Sequence, residues 1–184
     1  MYSPKFTFLQ IFLCINIGSS GCSRQKSQTS SQPPASFSQH NWNAEEQKRI
    51  AAVQPYVTTA AREYNLEPSL INGLIWVESR FDSKAQGGGA RGLMQLMPAT
   101  ARDLAKKLGV RAKPYDPEFN IRAGSYYLAQ MIRSFDGNTS FGLAAYNAGS
   151  GTVRKWLKTQ GRLAERGQKF VDQVLAAQKK FTVR

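Results

Sequence analysis

One stretch, residues 70 to 98, constrains the fold more than any other part of this chain. It reads LINGLIWVESRFDSKAQGGGARGLMQLMP: an apolar helical pattern, one acidic residue, three consecutive glycines and a restart as GLMQ. Ile71, Leu74 and Ile75 lie seven, four and three residues before Glu78. These spacings bring side chains onto one face of a helix. We therefore expect the Glu78 carboxyl to point toward the apolar interior.

Glu78 lies near the end of that predicted helix, where the field of the helix dipole is negative. This field and removal from water both disfavour the ionised carboxylate, so they raise its pKa. A carboxyl that stays protonated near neutral pH is what general-acid catalysis requires. The residue types alone leave a second interpretation open, in which Glu78 is a solvated charge at the end of an ordinary amphipathic helix.

Three separated motifs extend the argument beyond this one helix. Glu78 begins an ES pair, and Phe81 follows three residues after the acid. GLMQ begins at Gly92 and AYNAG begins at Ala145. Together, over about residues 54 to 181, these motifs resemble the soluble lytic transglycosylase family of lysozyme-like enzymes that cleave peptidoglycan. Three motifs in the right order are a specific signal, whereas any one of them alone would be weak.

The resemblance implies a fold of the lysozyme-like α+β superfamily: a compact, helical domain with a catalytic cleft. The residue pattern itself predicts an all-α class, because no run alternates between apolar and polar residues as a strand would, and at most a small hairpin fits. Residues 44–64 are helical in pattern with an interruption at Pro55, and helical patterns and capping signals predict further helices from 68 through Glu78, at 98–108, from 116 through 135, from 138 or 139 to 149, at 152–157 and at 170–181.

Glycine and proline positions give more specific expectations. Pro55 is expected to begin the first helix of the domain, because a proline inside a helix removes a hydrogen bond. Gly124 lies on the inner face of the long helix that follows Asp116, where it would let another helix approach closely. The run 87–89 predicts irregular backbone, in a tight loop beside the site.

The resemblance also implies roles for individual residues. Glu78 would be the single catalytic residue, serving first as acid and then as base, so a second carboxylate is not needed. Substrate contacts are implied for five further residues: Ser79, Met94, Gln95, Tyr146 and Asn147. Without the resemblance, Met94 would be ordinary core packing and Tyr146 a buried tyrosine with a satisfied hydroxyl.

Glycosidases usually use two carboxylates, and the motif region offers three other acidic residues. These are Asp82, Asp116 and Glu118. Asp82 lies one helical turn after Glu78, where we expect it to cap or solvate a loop. Asp116, followed by proline, is expected to cap a helix.

The activity that the resemblance implies is cleavage of the β-1,4 bond between N-acetylmuramic acid and N-acetylglucosamine, with a 1,6-anhydro product and peptidoglycan glycan strands as the substrate. It implies neither a metal nor a cofactor. Two alternatives stay open: a hydrolytic lysozyme, and a non-catalytic peptidoglycan-binding component of an envelope-spanning secretion or conjugation assembly.

Two features depart from the family pattern. The loop from Ala85 to Gly92 is one residue shorter and richer in glycine than usual. The last helix of the family normally brings a Tyr-Val pair near the catalytic glutamate, and the matching pair here is Phe170-Val171. Loss of that hydroxyl is expected to change the ionisation of Glu78, slow the enzyme or remove one hydrogen bond.

Composition limits the partners. The formal net charge is +13, which favours a polyanion such as nucleic acid, an anionic membrane or an anionic wall polymer. The cations are scattered and no nucleic-acid recognition motif accompanies them, so we expect no nucleic-acid partner. The chain has one histidine, His40, and two cysteines, Cys14 and Cys22, so no zinc site and no histidine-dependent nucleophile is predicted.

The beginning of the chain resembles an export signal. Lys5 precedes an apolar run at residues 6–17 and small residues that lead to Cys22, so residues 1–22 are predicted to be a secretory or lipoprotein signal. Lipidation at Cys22 would anchor the protein to the outer membrane, and simple cleavage would leave it in the periplasm. Residues 23–43 are polar and proline-containing and are predicted to be a disordered tether, followed by the domain at 44–184.

Overall fold

Seven α-helices and one small hairpin form residues 41–182, the part of the chain that the computed structural model describes. The predicted all-α class with a small hairpin is confirmed. In chain order the elements are α1 (Ala44–Tyr64), α2 (Pro68–Ser79), β1 (Gln86–Gly87), β2 (Ala90–Arg91), α3 (Pro98–Leu108), α4 (Pro117–Arg133), α5 (Thr139–Ala148), α6 (Ser150–Gln160) and α7 (Glu165–Gln178), followed by a 3₁₀ turn, Lys179–Phe181.

Helix α2 lies at the centre of the core. Pro68 occupies its first turn, as predicted, and every residue from Leu70 to Trp76 is buried. Helix α7 packs directly against it at Gly73, where an added Cβ would lie 2.9 Å from the carbonyl oxygen of Val174 and 2.8 Å from the backbone nitrogen of Gln178. A side chain at position 73 would therefore separate the two helices.

Helix α1 corrects one prediction. Asn43 and Glu46 form a reciprocal capping box at its start, and the helix then runs without a break through Pro55. The expectation that Pro55 begins the helix was wrong. An interior proline costs about 3 kcal/mol, but the apolar face of α1 continues on both sides of it, with Ile50 and Val57 both buried, and packing of that face outweighs the lost hydrogen bond.

A pair of buried amides joins α1 to α2. Gln54 Nε2 donates to Asn72 Oδ1 and Asn72 Nδ2 donates to Gln54 Oε1, each over 3.1 Å. Both side chains are almost completely removed from water. The reciprocal bonds satisfy a donor and an acceptor on each residue, so the pair fixes how the two helices lie against each other.

The glycine run forms the turn of the hairpin rather than an irregular loop throughout. Gly87 belongs to β1 and pairs with Ala90. Gly88 and Gly89 make the two-residue turn with φ of +56° and +87°, values typical of a type I′ turn. Two positive φ angles in sequence explain the glycines at these two positions.

The caps of the later helices are as predicted, but the neighbour of Gly124 is not. Asp116 caps α4 by accepting from the backbone of Phe119, and Asn138 caps α5. The group that approaches Gly124 is the side chain of Met94 from the GLMQ loop, not another helix. A Cβ at position 124 would lie 2.5 Å from the Met94 sulfur.

The folded part extends into the segment predicted as a tether. Trp42 stacks on Phe181 with ring centroids 5.1 Å apart, and Asn43 caps α1. The predicted signal at 1–22, its Cys22 and the rest of the tether lie outside the described residues. Between residues 41 and 182, no helix is long and apolar enough to cross a membrane.

Candidate active site

Glu78 is the penultimate residue of α2 and is half-buried. Ile71, Leu74 and Ile75 on the same face are completely buried, as their spacing predicts. Burial raises the pKa of the Glu78 carboxyl to about 7. Its oxygens make no hydrogen bond or ion pair with any residue between 41 and 182, so nothing in this part of the chain compensates the cost of charging it.

Ser79 connects the end of α2 to the loop that follows the hairpin. Its hydroxyl lies 2.7 Å from the carbonyl oxygen of Leu93 and 3.2 Å from that of Ile75. A serine hydroxyl has one proton to donate, and both neighbours are acceptors. The geometry therefore places Ser79 as a link that holds the GLMQ loop beside Glu78.

The side chain of Gln95 closes the base of the hairpin. Its Nε2 donates to the carbonyl oxygens of Ala85, at 3.1 Å, and Gly92, at 2.9 Å. Gln95 itself has φ of +46°, an unusual backbone conformation for a residue other than glycine. The amide nitrogen is thus engaged within the protein, whereas the carbonyl oxygen of this half-buried side chain makes no hydrogen bond with residues 41–182.

Met94 contributes mainly through its backbone. Its side chain is completely buried, against Gly124 and Ser125, which favours the core-packing interpretation of this residue. Its carbonyl oxygen accepts a 2.7 Å hydrogen bond from the hydroxyl of Tyr146.

Asn120 organises the same loop and was missed in the sequence. It is completely buried, accepts from the backbone nitrogen of Met94 at 2.7 Å and donates to Arg91 and Pro114 carbonyl oxygens at 3.0 and 2.7 Å. The available signal was its position on the helical face of Gly124, where a polar side chain needs buried partners.

Gly92 explains why the loop can pass so close to Asn120. A Cβ on Gly92 would clash with the carbonyl oxygen of Pro114 and lie 2.5 Å from Asn120 Nδ2, and φ is +78°. Both the contact and the backbone conformation require glycine here.

Tyr146, at the end of α5, lies close to Glu78. Burial, the charge of Glu78 and then the charge of Tyr127 hold the pKa of the Tyr146 phenol well above its usual value. Asn147, the next residue, is exposed and makes no hydrogen bond with the described residues. Tyr127 of α4, a residue that the motifs did not indicate, packs against Tyr146 with ring centroids 5.2 Å apart.

Phe170 is buried in α7 and lies on the same helical stripe as Val174 and Gln178. Gln178 Nε2 donates to Ser69 Oγ, and one turn earlier Val174 meets Gly73, so the two helices run in opposite directions. Phe170 lies one further turn back along α7. This register carries position 170 toward the end of α2 that bears Glu78.

The three other acidic residues have roles or positions elsewhere. Asp82 is exposed and accepts from the backbone nitrogen of Lys84 at 2.9 Å, as expected for a residue that caps a loop. Asp116 caps α4, and Glu118 is exposed in its first turn. Among residues 41–182, no three His, Cys, Asp or Glu side chains are grouped so that they could hold a metal ion.

The relatives of this chain among known proteins include lytic murein transglycosylases. The chain is 32% identical over 161 residues to the soluble lytic murein transglycosylase of Salmonella typhimurium, an alignment that covers 77% of this chain and 25% of the relative. It is 38% identical over 115 residues to membrane-bound lytic murein transglycosylase C of Actinobacillus pleuropneumoniae, covering 55% and 32%. The chain thus spans about a quarter to a third of these relatives' length.

A solved structure supports the same relationship. An inactive glutamate-to-glutamine mutant of the lytic transglycosylase Slt from Pseudomonas aeruginosa superposes with a TM-score of 0.64 at 34% identity. The superposition covers 76% of this chain and 25% of that one. The predicted lysozyme-like fold is therefore confirmed. The sequence-family model for the transglycosylase SLT domain matches residues 55–168 of this chain. The chain belongs to that family.

Proposed function

We propose that this chain is a peptidoglycan lytic transglycosylase in which Glu78 is the only catalytic acid and base. It would cleave the β-1,4 bond between N-acetylmuramic acid and N-acetylglucosamine. The observation that carries the proposal is the state of the Glu78 carboxyl: burial raises its pKa to about 7, so both forms are accessible at neutral pH. A residue that must first give and then take a proton needs such a pKa.

In the first step, protonated Glu78 donates its proton to the glycosidic oxygen as the bond from that oxygen to C1 of the muramic residue breaks. In the second step, the resulting carboxylate takes the proton from the 6-hydroxyl of the same muramic residue while that oxygen bonds to C1. The product is a 1,6-anhydro sugar, Glu78 is again protonated, and no water is consumed. These two reaction steps need no second carboxylate, consistent with the positions of Asp82, Asp116 and Glu118.

The surrounding residues divide into two groups in this proposal. Asn147 and the carbonyl oxygen of Gln95 are the polar groups offered to the glycan, because neither is engaged with residues 41–182. The wall of the site is held by Ser79, Met94 and Tyr146. The Ser79 hydroxyl donates to the carbonyl oxygen of Leu93, and the Tyr146 hydroxyl donates to that of Met94. The solved relative that is inactive as a glutamate-to-glutamine mutant supports a glutamate as the essential residue.

The test uses purified cell-wall sacculi and mass spectrometry of the released muropeptides. The full chain should release 1,6-anhydro ends. Glu78→Gln, which cannot donate a proton, should reduce release by at least about 10²- to 10⁴-fold and still bind sacculi. Glu67→Gln, an exposed change at the other end of α2, is the matched control and should behave as the wild type.

The other outcomes identify the alternatives. Reducing ends in place of anhydro ends would mean a hydrolytic lysozyme. Binding to sacculi with no release by the wild type would mean a non-catalytic component of an envelope assembly. Near-normal turnover by Glu78→Gln would remove Glu78 from the reaction.

We further propose that the protein works in the cell envelope, where its substrate lies, and that Cys22 anchors it there as a lipoprotein. The support is the signal-like sequence before Cys22 and a relative that is named membrane-bound. After cell fractionation, the wild type should sediment with outer membranes and Cys22→Ser should move to the soluble periplasmic fraction. A soluble wild-type protein would instead indicate simple cleavage of the signal.

A further inference from the structure

Tyr146 lies close to Glu78, Tyr127 packs on Tyr146, and the hydroxyls of the two tyrosines are in different states. The hydroxyl of Tyr146 is buried and donates to the carbonyl oxygen of Met94 at 2.7 Å. The hydroxyl of Tyr127, whose ring packs on that of Tyr146, makes no hydrogen bond with any residue of the described range, 41–182. The Tyr146 hydroxyl therefore has a partner inside the protein, whereas the Tyr127 hydroxyl has none among the described residues.

The hydroxyl of Tyr127 has lost part of its water but is not one of the fully buried side-chain atoms without a partner in residues 41–182, so a group from solvent can reach it. The residue is half-buried in α4, and burial raises the pKa of its phenol. A polar group that has lost part of its water and gained no partner in the protein costs free energy. Buried tyrosines normally place the hydroxyl on an acceptor, as Tyr146 does. A partner that enters from outside the protein would remove this cost.

We propose that the Tyr127 hydroxyl hydrogen-bonds the glycan strand that lies beside Glu78 and so is a substrate-binding residue. This inference rests on the proposed function. A phenol hydroxyl can donate and accept, and the hydroxyl and acetamide groups of an amino sugar offer both complements. Tyr127 also lies next to the site, because its ring packs on Tyr146, whose phenol feels the charge of Glu78.

The bond goes to the substrate and not to the acid, because Tyr127 makes no hydrogen bond to Glu78 in this structure. Tyr127 therefore has no means of setting the proton affinity of the carboxyl directly. Its removal should weaken binding of the glycan while leaving the ionisation of Glu78 where it was.

Tyr127→Phe removes the hydroxyl and keeps the ring that packs on Tyr146. We expect KM for sacculi to rise, and kcat/KM to fall, about three- to tenfold, the usual range for one net hydrogen bond. The same loss should appear as weaker binding of sacculi when Tyr127→Phe is added to the non-cleaving variant Glu78→Gln. The pH–rate profile should keep its position.

Tyr126→Phe is the matched control. Tyr126 is the neighbouring residue on α4, is also half-buried and packs on Tyr64 of α1 with ring centroids 5.5 Å apart. Removing its hydroxyl should leave KM unchanged. Circular dichroism and thermal unfolding of both variants establish that each is folded.

Two results would overturn the inference. Equal KM and equal binding for Tyr127→Phe and Tyr126→Phe would show that the Tyr127 ring only packs. A shift in the pH–rate profile at unchanged KM would show that the hydroxyl acts on Glu78. A wild-type protein that binds sacculi without cleaving them would contradict the proposed function, yet the binding comparison in Glu78→Gln would still decide the role of Tyr127.

Discussion

The hydroxyl of Tyr146 bonds the carbonyl oxygen of Met94 across 52 residues of sequence, at 2.7 Å. This bond joins the end of α5 to the GLMQ loop, and the same Met94 is held through its backbone nitrogen by Asn120 of α4. This hydrogen bond thus joins the GLMQ and AYNAG motifs, which are far apart in the chain, beside Glu78. The loop is therefore positioned by Ser79 of α2, Asn120 of α4 and Tyr146 of α5, in addition to its own residues.

Tyr146→Phe should therefore lower stability more than an ordinary loss of a hydroxyl. It leaves the carbonyl oxygen of a completely buried residue without its partner, which costs about 1–3 kcal/mol in the free energy of unfolding. Urea unfolding followed by circular dichroism measures this. Tyr126→Phe, whose hydroxyl bonds nothing in residues 41–182, should change the unfolding free energy far less, and an equal change in both would refute the importance of the Met94 bond.

Glu78→Gln should stabilise the protein, and the gain should depend on pH. The carboxyl titrates near 4.5 when unfolded and near 7 when folded. Below pH 4.5 both states hold the proton and the carboxyl adds no penalty. Between 4.5 and 7 the unfolded state ionises first, so wild-type stability falls as pH rises, by roughly 3 kcal/mol in total. Glutamine has no charge to desolvate.

Chemical denaturation of the wild type and Glu78→Gln at pH 4 and pH 8 checks this. The two proteins should differ little at pH 4, and the variant should be clearly more stable at pH 8. Glu67→Gln, at an exposed position, supplies the baseline. A constant difference at both pH values would mean that burial does not raise the pKa of Glu78.

Phe170→Tyr should raise activity and move the acidic limb of the pH–rate profile to lower pH. A hydroxyl at this position would donate to the Glu78 carboxylate, favour its charged form and lower its pKa, which helps the base step. The profile of anhydro-product formation from sacculi is the measurement. Phe135→Tyr, at another buried phenylalanine where α4 meets α5, controls for a tyrosine added to the core. An unmoved profile would make position 170 a packing position only.

Gly124→Ala should destabilise the fold and displace the GLMQ loop. The new Cβ would lie 2.5 Å from the Met94 sulfur and 2.9 Å from its Cβ, and overpacking of this kind costs about 1–3 kcal/mol. Gly151→Ala is the control, since nothing lies within 4 Å of a Cβ there and alanine favours the helix. Thermal unfolding should move in opposite directions for the two variants.

Local sequence was sufficient where a feature depends on neighbours in the chain. The spacing of Ile71, Leu74 and Ile75 predicted the buried face that carries Glu78, and Asp116 and Asn138 predicted the starts of α4 and α5. In each case the partner lies within two helical turns, so the period of the helix carries the information.

Features that depend on distant partners could not be predicted in this way. Pro55 indicated a helix start because its local cost is real, and only packing of α1 against the rest of the domain overrides it. Gly124 indicated a close approach correctly, but the identity of the approaching group, Met94, lies 30 residues away in the chain. The hydrogen bond from the Ser79 hydroxyl to the carbonyl oxygen of Leu93, 14 residues away, belongs to the same class.

The reciprocal amide pair of Gln54 and Asn72 bears on how this domain can be recombined with its relatives. The family match begins at residue 55 and ends at 168. A chimera joined at those limits would take Asn72 from one parent and residue 54 from the other. A buried amide in the core would then lose its hydrogen-bond partner. The chimera would also exchange the end of α7, which covers Gly73. Crossovers placed before Trp42 and after Phe181 should give folded hybrids. The segment that can be exchanged as a folded unit is therefore longer than the segment that the family match covers.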